Sequence, residues 1–383
     1  MINVAIIGAG GIAKTHVESF LEFKDQCQIV AIVDQQKDKA EKLAADQKIN
    51  PTIYENYQQI LDNSDIDLVS ICTPPFIHAE ITVACLDHGK HVICEKPMAN
   101  SLEECDAMIA AQKRNNKILS IVAQNRFFSK IQKLKTLIDS GITGKILHTN
   151  IQSFWWRGHT YYDLWWRGTW EKEGGGCTLS HAVHHLDMFQ WILGMPSEVT
   201  AIIGNLSHDN SEVEDISMSI FKFANNTLGQ ITSSVVHHGE EQQMVFQGEK
   251  AGLAYPWKVY ASTPRANGFP DPNTKLEAAI QSKYDALKDV EYEGHLGLIN
   301  DVLLAIKNQS QPLVDGTQGR NVIEIATAIY KSASTQSNVQ IPISTDDAFY
   351  TTEGLQRNVI HFYEKKTSVA DFGDVEITVG ASK

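Results

Sequence analysis

The sequence predicts an α/β protein in two parts: a parallel sheet covered on both faces by helices, then an α+β part. Three observations predict it. Over the first 125 residues, short apolar runs alternate with amphipathic stretches of about ten residues, the βαβ rhythm of a doubly covered sheet. Beyond residue 125 the strand-like runs are long, closely spaced and joined by turns, as in antiparallel sheets. A length of 383 residues suits two domains, at roughly 100–200 residues each.

In the first part, residues 3–7, 29–33, 68–72, 91–94 and 119–123 read as strands. Residues 17–21, 37–47, 57–62, 79–88 and 102–115 read as the helices between them. In the second part a helix over 129–140 leads through Gly141 and Gly144 into an alternating strand at 145–156. The aromatic, glycine-rich stretch 161–176 reads as a loop, and 178–193 as one helix closed by Gly194 and Pro196. Strands follow at 199–207, 215–223, 228–237 and 242–247, with Asn225-Asn226 marking a hairpin turn. Late helices are expected at 295–308 and 320–334. The division is 1–125, 126–360, and 361–383 as a tail or oligomer arm.

Lys and Arg total 33 against 46 Asp and Glu, a net charge of −13. Nucleic acid and anionic membranes both want a basic face, so neither is the expected partner. The six cysteines form no CxxC pair and read as reduced core residues. Residue 2 already opens a strand-like run, and no apolar stretch reaches 18 residues. A soluble cytoplasmic protein without a signal peptide is expected.

The first chemical motif is Gly8-Ala9-Gly10-Gly11-Ile12-Ala13, between a strand and a helix. It fits GxGxxG/A: Gly8 permits the tight turn, Gly10 lets the backbone approach a pyrophosphate, and Ala13 keeps helix and sheet close. The helix N-terminus offers free N–H groups to the phosphates. Asp34 ends the second strand, placed for the adenosine ribose hydroxyls. Its carboxylate repels a 2′-phosphate, and Gln35-Gln36 supplies no arginine, so NAD is favoured over NADP. Gly8, Gly10, Gly11, Ile12 and Asp34 form one half of the cofactor set. The carboxyl ends of the later strands supply the other: Thr73, Pro74, His78, Glu95, Lys96 and Gln124.

Glu95-Lys96 after a buried strand reads either as a surface ion pair or as a lysine beside the nicotinamide, its pKa tuned by burial. Lys96–Pro97 is a candidate cis bond. In the predicted helix after Gly176, Ser180, His184, Asp187 and Trp191 share one face. His184 one turn before Asp187 suits an imidazole oriented by a carboxylate for general-base work. His181, His184 and His185 also admit a metal, but zinc would need a third ligand and an open position; no metal is assigned.

Together these motifs resemble the Gfo/Idh/MocA oxidoreductases, the glucose–fructose oxidoreductase and inositol dehydrogenase relatives. The resemblance rests on Gly8–Ala13, Thr73-Pro74-Pro75 with His78, Glu95-Lys96-Pro97-Met98-Ala99, Asn125-Arg126-Phe127, Trp166-Arg167 and the stretch 174–187. Residues 305–316 and 328–333 are also similar to the family. It implies an N-terminal Rossmann domain and a C-terminal α+β domain with a large open antiparallel sheet. It also implies hydride exchange between NAD and a sugar, anhydrosugar or cyclitol carbon, and a homodimer or homotetramer built on the sheet face. Lys96 matches the motif lysine and His184 the catalytic histidine. Where the family pattern Asp-x-Gly-x-His-x-x-Asp begins with aspartate, this chain has Ser180, and Ala182 replaces the glycine. Serine cannot hold charge against an imidazolium. Either Asp187 orients His184, or Lys96 carries more of the proton transfer.

The expected catalytic set is therefore Lys96, His184 and Asp187. Arg126, Trp155, Trp166, Arg167, Ser180 and His181 are expected at the substrate. The tryptophans suit the C–H face of a sugar ring and equally suit a domain interface. Two alternatives stand beside the dehydrogenase. One is an NAD-retaining, redox-assisted glycosidase. The other is a non-catalytic dinucleotide sensor, which the presence of both Lys96 and His184 disfavours.

Overall fold

The computed structural model describes residues 1–370 and 372. The first part contains β1 (Ile2–Ile7), α1 (Gly11–Leu21), β2 (Cys27–Val33), α2 (Lys37–Asp46), β3 (Thr52–Tyr54), α3 (Gln58–Leu61), β4 (Leu68–Ile71), α4 (His78–Asp87), β5 (His91–Cys94), α5 (Leu102–Asn115) and β6 (Leu119–Ile121). Its six strands run in parallel in the order β3-β2-β1-β4-β5-β6. The order reverses between β1 and β4, and ligands of such sheets bind at that crevice. Central strands carry apolar residues on both faces because helices cover both: Val4–Ile7 and Leu68–Ile71 are buried throughout. Local chemistry sets the helix ends, most fully in α5. Ser101 Oγ accepts from the Glu104 N–H, acids fill the first turn and bases the last, and Asn116 closes it in the left-handed region (φ 49°).

The second part contains α6 (Ser129–Asp139), β7 (Ile146–Phe154), α7 (Cys177–Ser180), α8 (Val183–Leu193), β8 (Glu198–Gly204), β9 (Ile216–Lys222), β10 (Leu228–Ser234), β11 (Gln242–Gly248), β12 (Ala251–Tyr255), β13 (Lys258–Pro264), β14 (Pro270–Pro272), α9 (Thr274–Ala286), α10 (Gly294–Asn308), α11 (Gly316–Thr335), β15 (Val339–Gln340) and α12 (Thr352–Asn358). Nine strands form one sheet in the order β14-β13-β12-β11-β7-β10-β9-β8-β15. It is mostly antiparallel; the exception is the β7–β10 pair, which runs parallel from Leu228↔His148 to Ser234↔Phe154. That departs from the all-antiparallel expectation, because β10 returns beside a strand lying far back in the chain rather than beside its hairpin neighbour alone. The elements from β12 to α9, and β3, were not expected from the sequence.

Two further expectations change. The single helix over 178–193 is broken at His181-Ala182 into α7 and α8. The division at residue 125 separates the sheets but not the core. Ser120 Oγ donates to the Val314 carbonyl at 2.8 Å, and α10 and α11 pack back on α1 and α5. Of the segment 361–383, the described beginning is held: Lys365 Nζ donates to the Leu164 and Arg167 carbonyls (3.0 and 2.9 Å), and Val369 bridges to Leu164. Residue 371 and residues 373–383 lie outside the described residues.

Candidate active site

The glycine turn follows β1 and opens α1. Gly8 has φ +94°, and a Cβ there would lie 2.7 Å from the Cys72 carbonyl oxygen, so only glycine fits between β1 and β4. Above Gly10 and Gly11 there is open space, and the N-terminus of α1 has no side-chain cap. Asp34 Oδ2 accepts from the Ala9 N–H (2.7 Å) and Oδ1 from the Gln36 N–H (2.8 Å), which fixes the acid at the rim of this turn. Two more expected cofactor residues carry buried polar atoms with no partner, Thr73 Oγ1 and Gln124 Oε1. Unpaired buried polar atoms are costly, and a bound dinucleotide would satisfy them. These residues fit NAD: the helix N-terminus and Gly10 would hold the pyrophosphate, Asp34 the ribose.

His78 and Glu95 stand behind this surface rather than on it. The His78 ring, fully buried, lies 2.8 Å from both the Pro97 and Thr73 carbonyl oxygens, tying the two cofactor turns together. Glu95 Oε1 is 2.8 Å from His16 Nε2 and 3.7 Å from His295 Nε2, while Oε2 accepts the Lys96 N–H. Burial opposes the Glu95 charge, but the two imidazoles outweigh it and hold the carboxyl well below its usual range. The three donor atoms lie within 4.8 Å of one another. As they stand, a buried His16–Glu95 hydrogen bond with His295 beside it joins α1, the end of β5 and α10. Both residues are therefore corrected from cofactor contacts to supports of the turn that carries Lys96. The Lys96–Pro97 bond is cis.

Lys96, His184 and Asp187 line one pocket, with Met98, Val183 and Val314 among its apolar walls. Burial pulls the Lys96 ammonium below the usual lysine range, and Arg167 adds to the pull while Glu95 opposes it. His184 is held well below the usual imidazole range, by burial first and then by Lys96. Its imidazole makes no hydrogen bond among the described residues. The expectation that Asp187 orients it is overturned. Both Asp187 oxygens accept from the buried Arg126, Oδ2 from Nε at 2.8 Å and Oδ1 from Nη2 at 2.6 Å. A guanidinium fork matches a carboxylate better than an imidazole edge does, and its fixed charge wins the pair. Arg126 is fully buried, with Nε and Nη2 committed to Asp187.

Ser180 is likewise turned away from His184. Its Oγ donates to the Gly176 carbonyl and contacts His181 Nδ1. His181 sits beside Trp155 and Tyr161, with ring centroids at 5.9 and 5.6 Å. Arg167 lies between the Trp166 and Tyr161 rings, 4.1 and 4.2 Å from their centroids, and its Nη1 donates to the buried Glu173 at 2.7 Å. Trp165 instead meets Phe76, just after Pro74-Pro75, edge to face at 5.9 Å. Trp155 thus lies beside His181 and Trp166 against Arg167. Sequence reasoning missed Arg157, whose guanidinium lies 5.5 and 5.6 Å from the Trp155 and Tyr161 ring centroids, and with it Tyr161, Glu173, His16 and His295. Only His16 carried a signal, as a histidine on the buried face of the helix after the glycine turn.

A parallel sheet with a dinucleotide turn at its switch point, and a lysine and a histidine sharing a pocket nearby, define an NAD-binding oxidoreductase. The comparisons agree. Residues 2–123 match the model "Oxidoreductase family, NAD-binding Rossmann fold", and residues 131–254 match the GFO/IDH/MocA C-terminal domain. The chain belongs to the Gfo/Idh/MocA oxidoreductase family. It is 25% identical to the D-glucoside 3-dehydrogenase of Escherichia coli strain K12 over 359 residues, 89% of this chain and 97% of that one. It is 27% identical to the 2,7-anhydro-N-acetylneuraminate hydratase of Mediterraneibacter gnavus over 258 residues, 66% of each chain. The WlbA dehydrogenase of Bordetella pertussis, solved with NADH and UDP-GlcNAcA, shares the fold with a TM-score of 0.77 at 24% identity, covering 90% of this chain and 99% of that one.

Proposed function

We propose that the protein is an NAD-dependent dehydrogenase of a secondary alcohol carbon in a sugar, anhydrosugar or cyclitol. The observation that carries this reading is the placing of Lys96 and His184 on one pocket at the carboxyl end of β5. Bound NAD supplies the acceptor for the hydride that leaves the carbinol carbon. His184, neutral through burial, accepts the hydroxyl proton at a ring nitrogen. Lys96 donates a hydrogen bond to the same oxygen as it becomes a carbonyl. With Asp187 committed to Arg126 and Ser180 to Gly176, no carboxylate is hydrogen-bonded to His184 among the described residues, and only the nearby Glu95 charge favours its imidazolium. Lys96 disfavours that imidazolium, so its own part is at the substrate oxygen, where it stabilises the developing negative charge as the proton leaves.

The test is NADH formation with myo-inositol, methyl β-glucoside, glucose and levoglucosan, from neutral to alkaline pH, for wild type, Lys96→Ala and His184→Ala. Loss of about 10²–10⁴-fold in turnover in both variants, with NADH still bound, supports the two roles. Loss in Lys96→Ala alone would move the proton chemistry off His184. Tight NAD binding with no reduction by any compound would overturn the reading. A second reading is the NAD-retaining, redox-assisted glycosidase: NAD is reduced and reoxidised within one cycle, so product forms and no NADH accumulates.

The reading extends to setting and assembly. Six free cysteines, all buried, suit a reducing cytoplasm, and among the described residues no helix is long and apolar enough to cross a membrane. The outer face of the nine-stranded sheet supports a homodimer or homotetramer.

A further inference from the structure

The substitution of Ser180 for the family aspartate has a consequence at its neighbour. Ser180 Oγ lies 2.7 Å from the Gly176 carbonyl oxygen and 2.8 Å from His181 Nδ1. A carbonyl oxygen only accepts, so the single hydroxyl proton points at Gly176. Oγ then meets the imidazole with a lone pair, and the ring proton must sit on Nδ1. That leaves His181 Nε2 as a bare acceptor, and it makes no hydrogen bond among the described residues. An aspartate here would also hold the proton on Nδ1, but it has none to give Gly176 and its charge would favour the imidazolium; the serine sets the tautomer without that charge.

The surroundings keep His181 in that neutral form. Burial pushes its pKa well down, and Arg157, Arg167 and Lys96 push in the same direction. The break between α7 and α8 falls at His181-Ala182, and His181 is the C-cap of α7. Trp155 and Tyr161 flank its ring, offering apolar faces beside one acceptor, and His184 and Lys96 are close enough to feel its charge.

We propose that Ser180 fixes His181 in the Nδ1–H tautomer, and that Nε2 accepts a hydrogen bond from a second hydroxyl of the substrate ring. His181 thereby becomes the residue that reads the hydroxyl pattern. The substrate half of this inference rests on the dehydrogenase reading; the tautomer half does not.

Two measurements on the full-length protein with NADH bound separate them. Long-range ¹H–¹⁵N correlation spectra with ¹⁵N-labelled histidine, assigned through His181→Gln, report which nitrogen carries the proton. The expected result is Nδ1–H in wild type and in Ser180→Thr, and a shift towards Nε2–H in Ser180→Ala. A wild-type proton on Nε2, or a Ser180→Ala spectrum unchanged from wild type, would overturn the tautomer lock whatever the activity. The second measurement compares kcat/KM for myo-inositol, methyl β-glucoside and levoglucosan with their singly deoxygenated analogues. Loss of one ring hydroxyl should cost wild type about tenfold to a hundredfold, and His181→Phe should erase that discrimination. His181→Phe retaining the wild-type profile would overturn the hydroxyl reading. If no parent compound is oxidised, the dehydrogenase reading fails and the substrate half falls with it, while the spectra still decide the tautomer.

Discussion

At the scale of single residues, the main correction is electrostatic. Spacing along a helix put Asp187 one turn from His184, but spacing cannot show a competitor 61 residues earlier in the chain. Arg126 takes both carboxylate oxygens, Gln318 Oε1 accepts from its Nη2 at 3.0 Å, and its Nη1 is buried without a partner. A buried ion pair contributes little net stability when intact but leaves a bare charge when broken. Arg126→Ala is therefore expected to cost about 3–5 kcal/mol of stability, read by urea unfolding, with substrate KM in the folded fraction nearly unchanged. The double variant Arg126→Met/Asp187→Leu should recover most of the loss. A substrate-contacting arginine would show the opposite: intact stability, a raised KM and no recovery.

At the scale of elements, the glycine triplet before α7 is a close passage rather than a flexible loop. A Cβ on Gly175 would lie 2.1 Å from Tyr330 Oη, and one on Gly176 only 1.9 Å from the Glu214 carbonyl oxygen. The buried Glu214 carboxyl caps the passage, accepting from the Gly176 and Thr178 N–H groups at 2.9 and 3.0 Å. Burial pushes its pKa from 4.5 up to about 7, against the pull of those bonds. A raised carboxyl pKa means that the folded state binds the proton more tightly. Its contribution is full below pH 4.5 and lost as pH rises through about 7, on the order of 3 kcal/mol in all. The wild-type stability minus that of Glu214→Gln, measured by thermal melts between these limits, should fall by that amount. A flat difference would show that Glu214 is ionised throughout. The motif Gly174–Gly176 was legible, and so was a helix after it, because apolar periodicity resumes at Val183. The break at His181-Ala182 and the acid beneath the glycines were not. Both depend on Glu214 and Tyr330, which only the folded sheet and α11 bring there.

For the whole molecule, the parallel half was legible nearly strand by strand, since full burial writes continuous apolar runs. The second sheet was legible in its five middle strands, β11, β7, β10, β9 and β8, where one face is buried and alternation is clear. Its β12–β14 end was not: β12 is a five-residue run of small and apolar residues, and β13 and β14 are largely exposed and carry little apolar alternation. That same alternation also exposes the assembly question. Val199, Ala201 and Ile203 of β8 face inward, where α11 packs on this strand. Ile202, Met218, Ile220 and Leu228 face outward and are 76%, 57%, 62% and 49% exposed. Ile202 and Met218 are directly paired across β8 and β9, and Thr200 pairs with Ile220, so the apolar side chains are contiguous on one face. A monomer gains nothing from such a patch, whereas a second copy of the sheet face would bury it. Ile202→Asp/Ile220→Asp places two charges in its centre without touching the inner face or the Lys96 pocket. Light scattering after size exclusion should then give a dimer or tetramer for wild type and a monomer for the double variant, with NADH binding retained. A wild-type monomer, or a variant whose mass is unchanged, would leave the sheet face without the partner proposed for it.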